Sequence, residues 1–174
     1  MKRMTNITCG FNTTLDGFTL IETFVAITIL LTAIVGPLTI ASKGLSSSFL
    51  AKEQTTASFL AQEAVEYIRW KRDSNALSGR AWLSGLAACT NATCYIDAVS
   101  DTAGSCGSTC PALHRNASTG LYTYTASDPT TEYTRSIQMS TINSNESRVM
   151  VTVVWYSLGI THTFVAVENM FNWQ

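Results

Sequence analysis

GFTLIETFVAITILLTAIVGPLTIA, residues 17–41, carries a single ionisable side chain, Glu22, in an otherwise uncharged and mostly apolar run. As an α-helix, residues 18–41 would reach roughly 36 Å, enough to cross a bilayer hydrocarbon core of about 30 Å. Gly36-Pro37 interrupts the run, because proline removes a helix hydrogen bond and favours a kink. A bilayer tolerates such a break only where neighbours re-satisfy the freed backbone groups. The order of features differs from a secretory signal peptide, in which a shorter apolar core precedes a small-residue cleavage site. Here the small residue, Gly17, comes first, so cleavage after it would leave the apolar helix on the product.

Upstream, residues 1–17 read as a short polar leader with Lys2 and Arg3 as its basic side chains and Asp16 as its acid. The early positive charges place the N-terminus in the cytoplasm and the remainder of the chain outside, a bias that Lys43 and Lys52 weaken. Downstream, the helical pattern turns amphipathic over residues 42–72. Leu45, Phe49, Leu60, Ala64 and Ile68 fall near one face, which passes through Glu53 and Thr56/Ala57. Residues 61–66 are mostly good helix formers. Arg69, Lys71 and Arg72 suit the negative end of a helix dipole, and Asp73-Ser74-Asn75 with Ser78-Gly79 reads as the stop. The spacing predicts one helix of about 50 residues, from near Phe18 to near Arg72, well beyond the usual globular length.

Residues 73–120 read as a cysteine-containing loop region with a short helical stretch around Ala81–Ala88. The period changes over residues 121–174. Leu121–Thr125 and Glu132–Met139 are short strand candidates, and Arg148–Tyr156 is the strongest strand, dense in β-branched and aromatic residues. Ser157-Leu158-Gly159 makes a tight turn, with Ile160–Val167 as the hairpin partner. The expected fold class is therefore α+β: a long N-terminal helix whose second half packs on a small C-terminal antiparallel sheet, since such a sheet needs cover on one face.

The formal charge is −1, with 11 Lys+Arg against 12 Asp+Glu, which is no electrostatic footprint for nucleic acid. Of the five cysteines, Cys89, Cys94, Cys106 and Cys110 cluster after the apolar run, and Cys9 stands alone before it. The cluster points to disulfides in an oxidising compartment, which Cys9 would never share. Of the three pairings open to four cysteines, the local ones, Cys89–Cys94 and Cys106–Cys110, are preferred. Paired C-x2-C knuckles for zinc are absent. His114 and His162 have no nucleophile or ligand motif beside them, and there is no phosphate-cradling glycine loop and no HExxH or GxSxG. The reading is of a chain that is not an enzyme and needs no metal or cofactor. Trp70, Trp82, Trp155 and Trp173 read as core or interface anchors, and Tyr122, Tyr124 and Tyr133 as a candidate sticky face.

The leader ending in Gly17, the hexamer Gly17-Phe18-Thr19-Leu20-Ile21-Glu22 and the apolar helix behind it resemble the type IV pilins and the type II secretion pseudopilins. The resemblance implies a filament subunit, with a minor pilin or pseudopilin the closer pattern. It implies cleavage between Gly17 and Phe18 by a prepilin peptidase and N-methylation of Phe18. Glu22 would pair with the terminal amine of a neighbouring subunit, and Gly36-Pro37 would be the helix break that loosens on assembly. The implied partners are other pilin subunits, the peptidase, and the inner membrane before assembly. The chain departs from the family in having Asp16 before the cut and a long leader. Two other readings stay open: a membrane-anchored, adhesin-like binding module that uses the cysteine loop, and an envelope protein that never polymerises.

Overall fold

The computed structural model describes residues 17–172, so Lys2, Arg3, Cys9, Asp16 and Trp173 lie outside the described residues. One helix, α1, runs Leu20–Leu77 (58 residues) and is followed by a 3-10 turn at Ala87–Cys89 and seven strands. The strands are β1 Thr93–Asp97, β2 Thr102–Ser105, β3 Ala112–Arg115, β4 Tyr122–Thr123, β5 Thr130–Asn143, β6 Glu146–Ser157 and β7 Ile160–Phe171. The architecture is α+β with an antiparallel sheet. The chain forms two compact units, one up to Ser46 and one from Ser47 onward.

The first unit is the apolar part of α1. It is long and apolar enough to cross a membrane, and none of its most apolar 18-residue window is buried. Its threonines do not leave hydroxyls unpaired on that surface. Thr23 donates to the Leu20 carbonyl, Thr28 to that of Val25, Thr32 to those of Thr28 and Ile29, and Thr39 to those of Val35 and Gly36. Each hydroxyl is thereby satisfied within the helix, as a hydrocarbon surrounding demands. The helix continues through Gly36 and Pro37 without interruption. Pro37 has no N–H to offer the carbonyl four residues back, at Ala33.

In the second unit the expected amphipathic face is present but begins later than the sequence pattern suggests. Ala57, Leu60, Ala61, Ala64, Val65 and Ile68 are buried, whereas Leu45, in the first unit, and Phe49 are exposed. The sheet supplies the reason. Its helix-facing side ends near Trp155, where polar ties from Tyr133, Trp155 and Ser157 reach back to Glu53; Phe49, a turn before Glu53, is left exposed. The alanines let the helix sit close to Ile137, Met139, Val149, Val151 and Val153, which alternate along β5 and β6 and point to one side.

The helix runs five residues beyond Arg72, to Leu77, and ends within the expected stop. Asn75 is fully buried in its last turn, and its amide donates to the carbonyls of Trp82 (3.2 Å) and Ser84 (2.8 Å), holding the following loop. The end itself comes at Gly79. Gly79 N–H bonds the Ala76 carbonyl and Arg80 N–H bonds the Asn75 carbonyl, with Gly79 at φ 64°. That is the double hydrogen bond of a Schellman cap, which needs the left-handed conformation glycine adopts without strain.

Residues 73–120, read from sequence as loop, contain three short strands. Their own propensity is weak: β1 and β3 are held by pairing with β5, and β2 by pairing with β1. One edge of β5 pairs with β6 from Tyr133↔Trp155 to Asn143↔Glu146. The other edge is shared, with β3 on its first half (Ala112↔Thr134) and β1 on its second (Cys94↔Ile137). β2 and β4 extend β1 and β3, and β7 closes the far side against β6 in unbroken register. The chain pairs Cys89 with Cys94 and Cys106 with Cys110. The first pair sits in the core, so it fastens the 3-10 turn to β1 from inside.

Candidate assembly site at the head of the helix

Gly17, Phe18 and Thr19 precede α1, and Glu22 lies in its first turn. Thr19 is the N-cap. Its Oγ1 accepts the Glu22 N–H at 3.3 Å while its carbonyl accepts the Thr23 N–H at 3.1 Å. Thr19-x-x-Glu22 is the spacing of a capping box, a helix-start signal legible in the sequence. The cap starts the helix at Leu20 and leaves Gly17 and Phe18 outside it, both exposed. Phe18 is among the most exposed side chains of the chain.

Glu22 therefore has two physical contexts. Near a helix N-terminus its charge is favoured by the macrodipole and by free N–H groups. Its carboxylate, however, has no hydrogen-bond or ionic partner among the described residues. It stands on a surface formed by Phe18, Ile21, Val25 and Ile29, all exposed. A carboxylate in hydrocarbon costs several kcal/mol unless it is partnered or near the interface. Among the described residues no cation is placed beside it.

Away from this site, several ionisable groups of the second unit are occupied structurally. Arg135 is buried, and its guanidinium donates to the carbonyls of Leu60 (2.8 Å) and Ile96 (2.7 Å) and to Glu63 Oε2 (2.6 Å), tying α1, β5 and β1 together. Glu53 accepts Ser157 Oγ at 2.9 Å and Trp155 Nε1 at 3.3 Å, and its backbone carbonyl accepts the Tyr133 hydroxyl at 3.3 Å. Asp101 accepts Lys71 Nζ (2.9 Å) and the Tyr67 hydroxyl (2.7 Å). These bonds, Lys71's first, hold the Asp101 carboxyl below its usual range. Burial, and then the Asp101 hydrogen bond, pushes the Tyr67 phenol upward. Arg69 is drawn upward chiefly by its hydrogen bond to Glu168, with which it is ion-paired along with Glu66.

The remaining residues singled out from sequence are placed as follows. His162 stacks on Trp155, ring centroids 5.3 Å apart. His114 Nδ1 bonds the Asp128 backbone carbonyl at 2.7 Å. Trp155 is a core anchor, whereas Trp70 lies on the surface. Tyr122, Tyr124 and Tyr133 pack against the core rather than forming an exposed face, and Tyr124 is burdened by desolvation, which raises its phenol. Among the described residues no group of three His, Cys, Asp or Glu side chains is placed to hold a metal ion. The chain matches no family model, no curated protein and no solved structure.

Proposed function

We propose that this chain is a structural subunit of a type IV pilus-like filament, made as a membrane precursor and cut between Gly17 and Phe18. The observation that carries the reading is the unpartnered Glu22 carboxylate, one turn behind an exposed Gly17–Phe18 bond at the head of an apolar helix. Hydrolysis of that bond consumes one water and gives a Gly17 carboxylate and a Phe18 ammonium. The ammonium is the cation the Glu22 site lacks. On its own chain it lies four residues from Glu22; on a neighbour it links two subunits and sets their axial register. N-methylation of the Phe18 amine preserves the positive charge. Once the helix leaves lipid, burial of its apolar side chains against like helices contributes roughly 25 cal/mol per Å², so extraction from the bilayer needs an energy source outside the chain. Within this class, a minor subunit is the closer fit.

The test is a filament fraction sheared from cells that carry wild-type or Glu22→Ala chain, quantified against the main filament protein. Wild type is expected in the sheared fraction, as a trace component if it is a minor subunit. Glu22→Ala is expected to be processed and membrane-bound but depleted there at least about tenfold, the factor that about 1.4 kcal/mol represents. Normal incorporation of Glu22→Ala would remove the pairing role. Wild-type chain confined to membranes would remove the filament reading and leave a permanently anchored envelope protein.

A further inference from the structure

Within the second unit, a groove of about 530 Å³ lies between α1 and the β3–β4 hairpin. The helix contributes Lys52, Phe59 and Glu63, which its period brings to one stripe. The hairpin contributes Arg115, Leu121 and Tyr122. Arg115 and Tyr122 are cross-strand partners, so guanidinium and phenol stand side by side. The turn that joins them is held firmly. Asn116 Oδ1 accepts the N–H groups of Ser118 and Thr119, both at 3.0 Å, and the Asn116 carbonyl accepts the Gly120 N–H at 2.9 Å. Gly120 has φ 74°, and a Cβ there would come 3.5 Å from Arg115 Nη2, so the guanidinium lies along the glycine.

The groove presents groups that the fold does not use. Among the described residues neither the Lys52 ammonium nor the Arg115 guanidinium has an acceptor. The acids of this region are engaged or turned away. Glu53 is bound by Ser157 and Trp155, Asp128 by Asn116 and Thr123, and Glu132 alternates to the opposite face of β5. Glu63 does line the groove, but its Oε2 is taken by Arg135, which leaves Oε1. Lys52 and Arg115 against Glu63 give the lining one net positive charge. Phe59 is 64% exposed and Leu121 49%. The Tyr122 ring packs edge-on against Tyr133, and its hydroxyl has no partner among the described residues.

From this set we infer that the groove is a binding site for a sugar ring bearing one carboxylate, as in a uronic acid. Lys52 and Arg115 take the carboxylate, Arg115 through a two-pronged hydrogen bond. Phe59 and Leu121 cover the C–H face of the ring, the apolar share of a concave ligand site. The Tyr122 hydroxyl and Glu63 Oε1 take the ring hydroxyls. One net positive charge suits a monoanion, whereas a polyanion such as nucleic acid meets the Glu63 carboxylate. An acidic peptide side chain would fill the cation pair and leave the apolar wall and Glu63 Oε1 without a partner. The inference stands on the second unit alone and does not depend on filament assembly or on cleavage of the chain.

The test is equilibrium binding of a fluorescently labelled oligoglucuronate to the full chain in detergent at physiological salt. Saturable binding is expected, with neutral oligoglucose of the same length at least about tenfold weaker as a competitor. Arg115→Gln and Phe59→Ser should each weaken binding at least about tenfold and leave thermal unfolding unchanged, since both side chains are exposed. Lys52→Gln, on the other wall, repeats the charge test without touching the hairpin. Absence of saturable binding, equal competition by oligoglucose, or wild-type affinity in both Arg115→Gln and Lys52→Gln would overturn the inference. Stronger displacement by oligoglutamate would assign the groove to an acidic peptide, and stronger displacement by a single-stranded oligonucleotide to nucleic acid; either outcome also overturns it.

Discussion

At the scale of single residues, several of the chain's charges tie its elements together. Arg135 is the clearest case. A guanidinium in the core is unfavourable unless it is paired and hydrogen-bonded; here Nη1 and Nη2 donate to backbone carbonyls of α1 and β1 and to Glu63, while the buried Nε has no partner. Arg135→Ala would leave the Leu60 and Ile96 carbonyls buried without this donor. Urea unfolding in detergent should show a loss of about 3 kcal/mol. Asp101 gives a pH prediction of the opposite kind. Its carboxyl is held below its usual 3.8 by Lys71 and then by Tyr67. The stability it contributes is therefore fully present above that value and lost as pH falls through the lowered one. Asp101→Asn should accordingly be less stable than wild type near neutrality, and the difference should vanish at the acid end of the titration. Asp101 is half exposed, so the difference at neutral pH should stay within about 1 kcal/mol. A gap that persisted unchanged in acid would assign it to packing instead.

Among the elements, α1 and β5 carry most of the organisation. The two halves of α1 obey different rules: the first satisfies its hydroxyls internally and buries nothing, and the second buries a stripe of alanines and branched residues. β5 is long enough to seat β3 and β1 end to end on one edge, which is how segments of weak strand propensity become ordered. The disulfides divide in the same way. Cys106–Cys110 closes a very short loop at the surface, and by chain entropy it should be worth about 2 kcal/mol at most. Cys89–Cys94 lies within the core. Replacing both members by Ser there adds buried hydroxyls to the lost constraint and should cost more, by about 1 kcal/mol or above. Thermal unfolding of the two double-serine variants, compared with each other, decides the order.

Taken as a whole, the molecule is two units with separate sources of stability. The second has its own core from Ala57 to Met170 and its own polar ties. A chain beginning at Ser47 is therefore expected to be soluble without detergent and to unfold in one cooperative transition, measured by circular dichroism and fluorescence together. Non-coincident transitions would mean that the apolar half of α1 contributes to the core of the second unit, against the division seen here.

By itself the sequence determined the long apolar helix, the Gly17-to-Glu22 head, the amphipathic continuation, the strong β6 strand with its tight turn, and the local cysteine pairs. These are patterns of near neighbours, with periods of two to four residues or short loop closures, and local chemistry is enough to specify them. Only the tertiary structure decided that the buried face of α1 starts at Ala57, that residues 93–115 join the sheet, and that Arg135 is a core residue. Those outcomes depend on what lies opposite in space. The polar ties from the sheet reach Glu53 and leave Phe49 exposed, β5 offers an edge to weak strands, and two carbonyls far apart in the chain converge on one guanidinium.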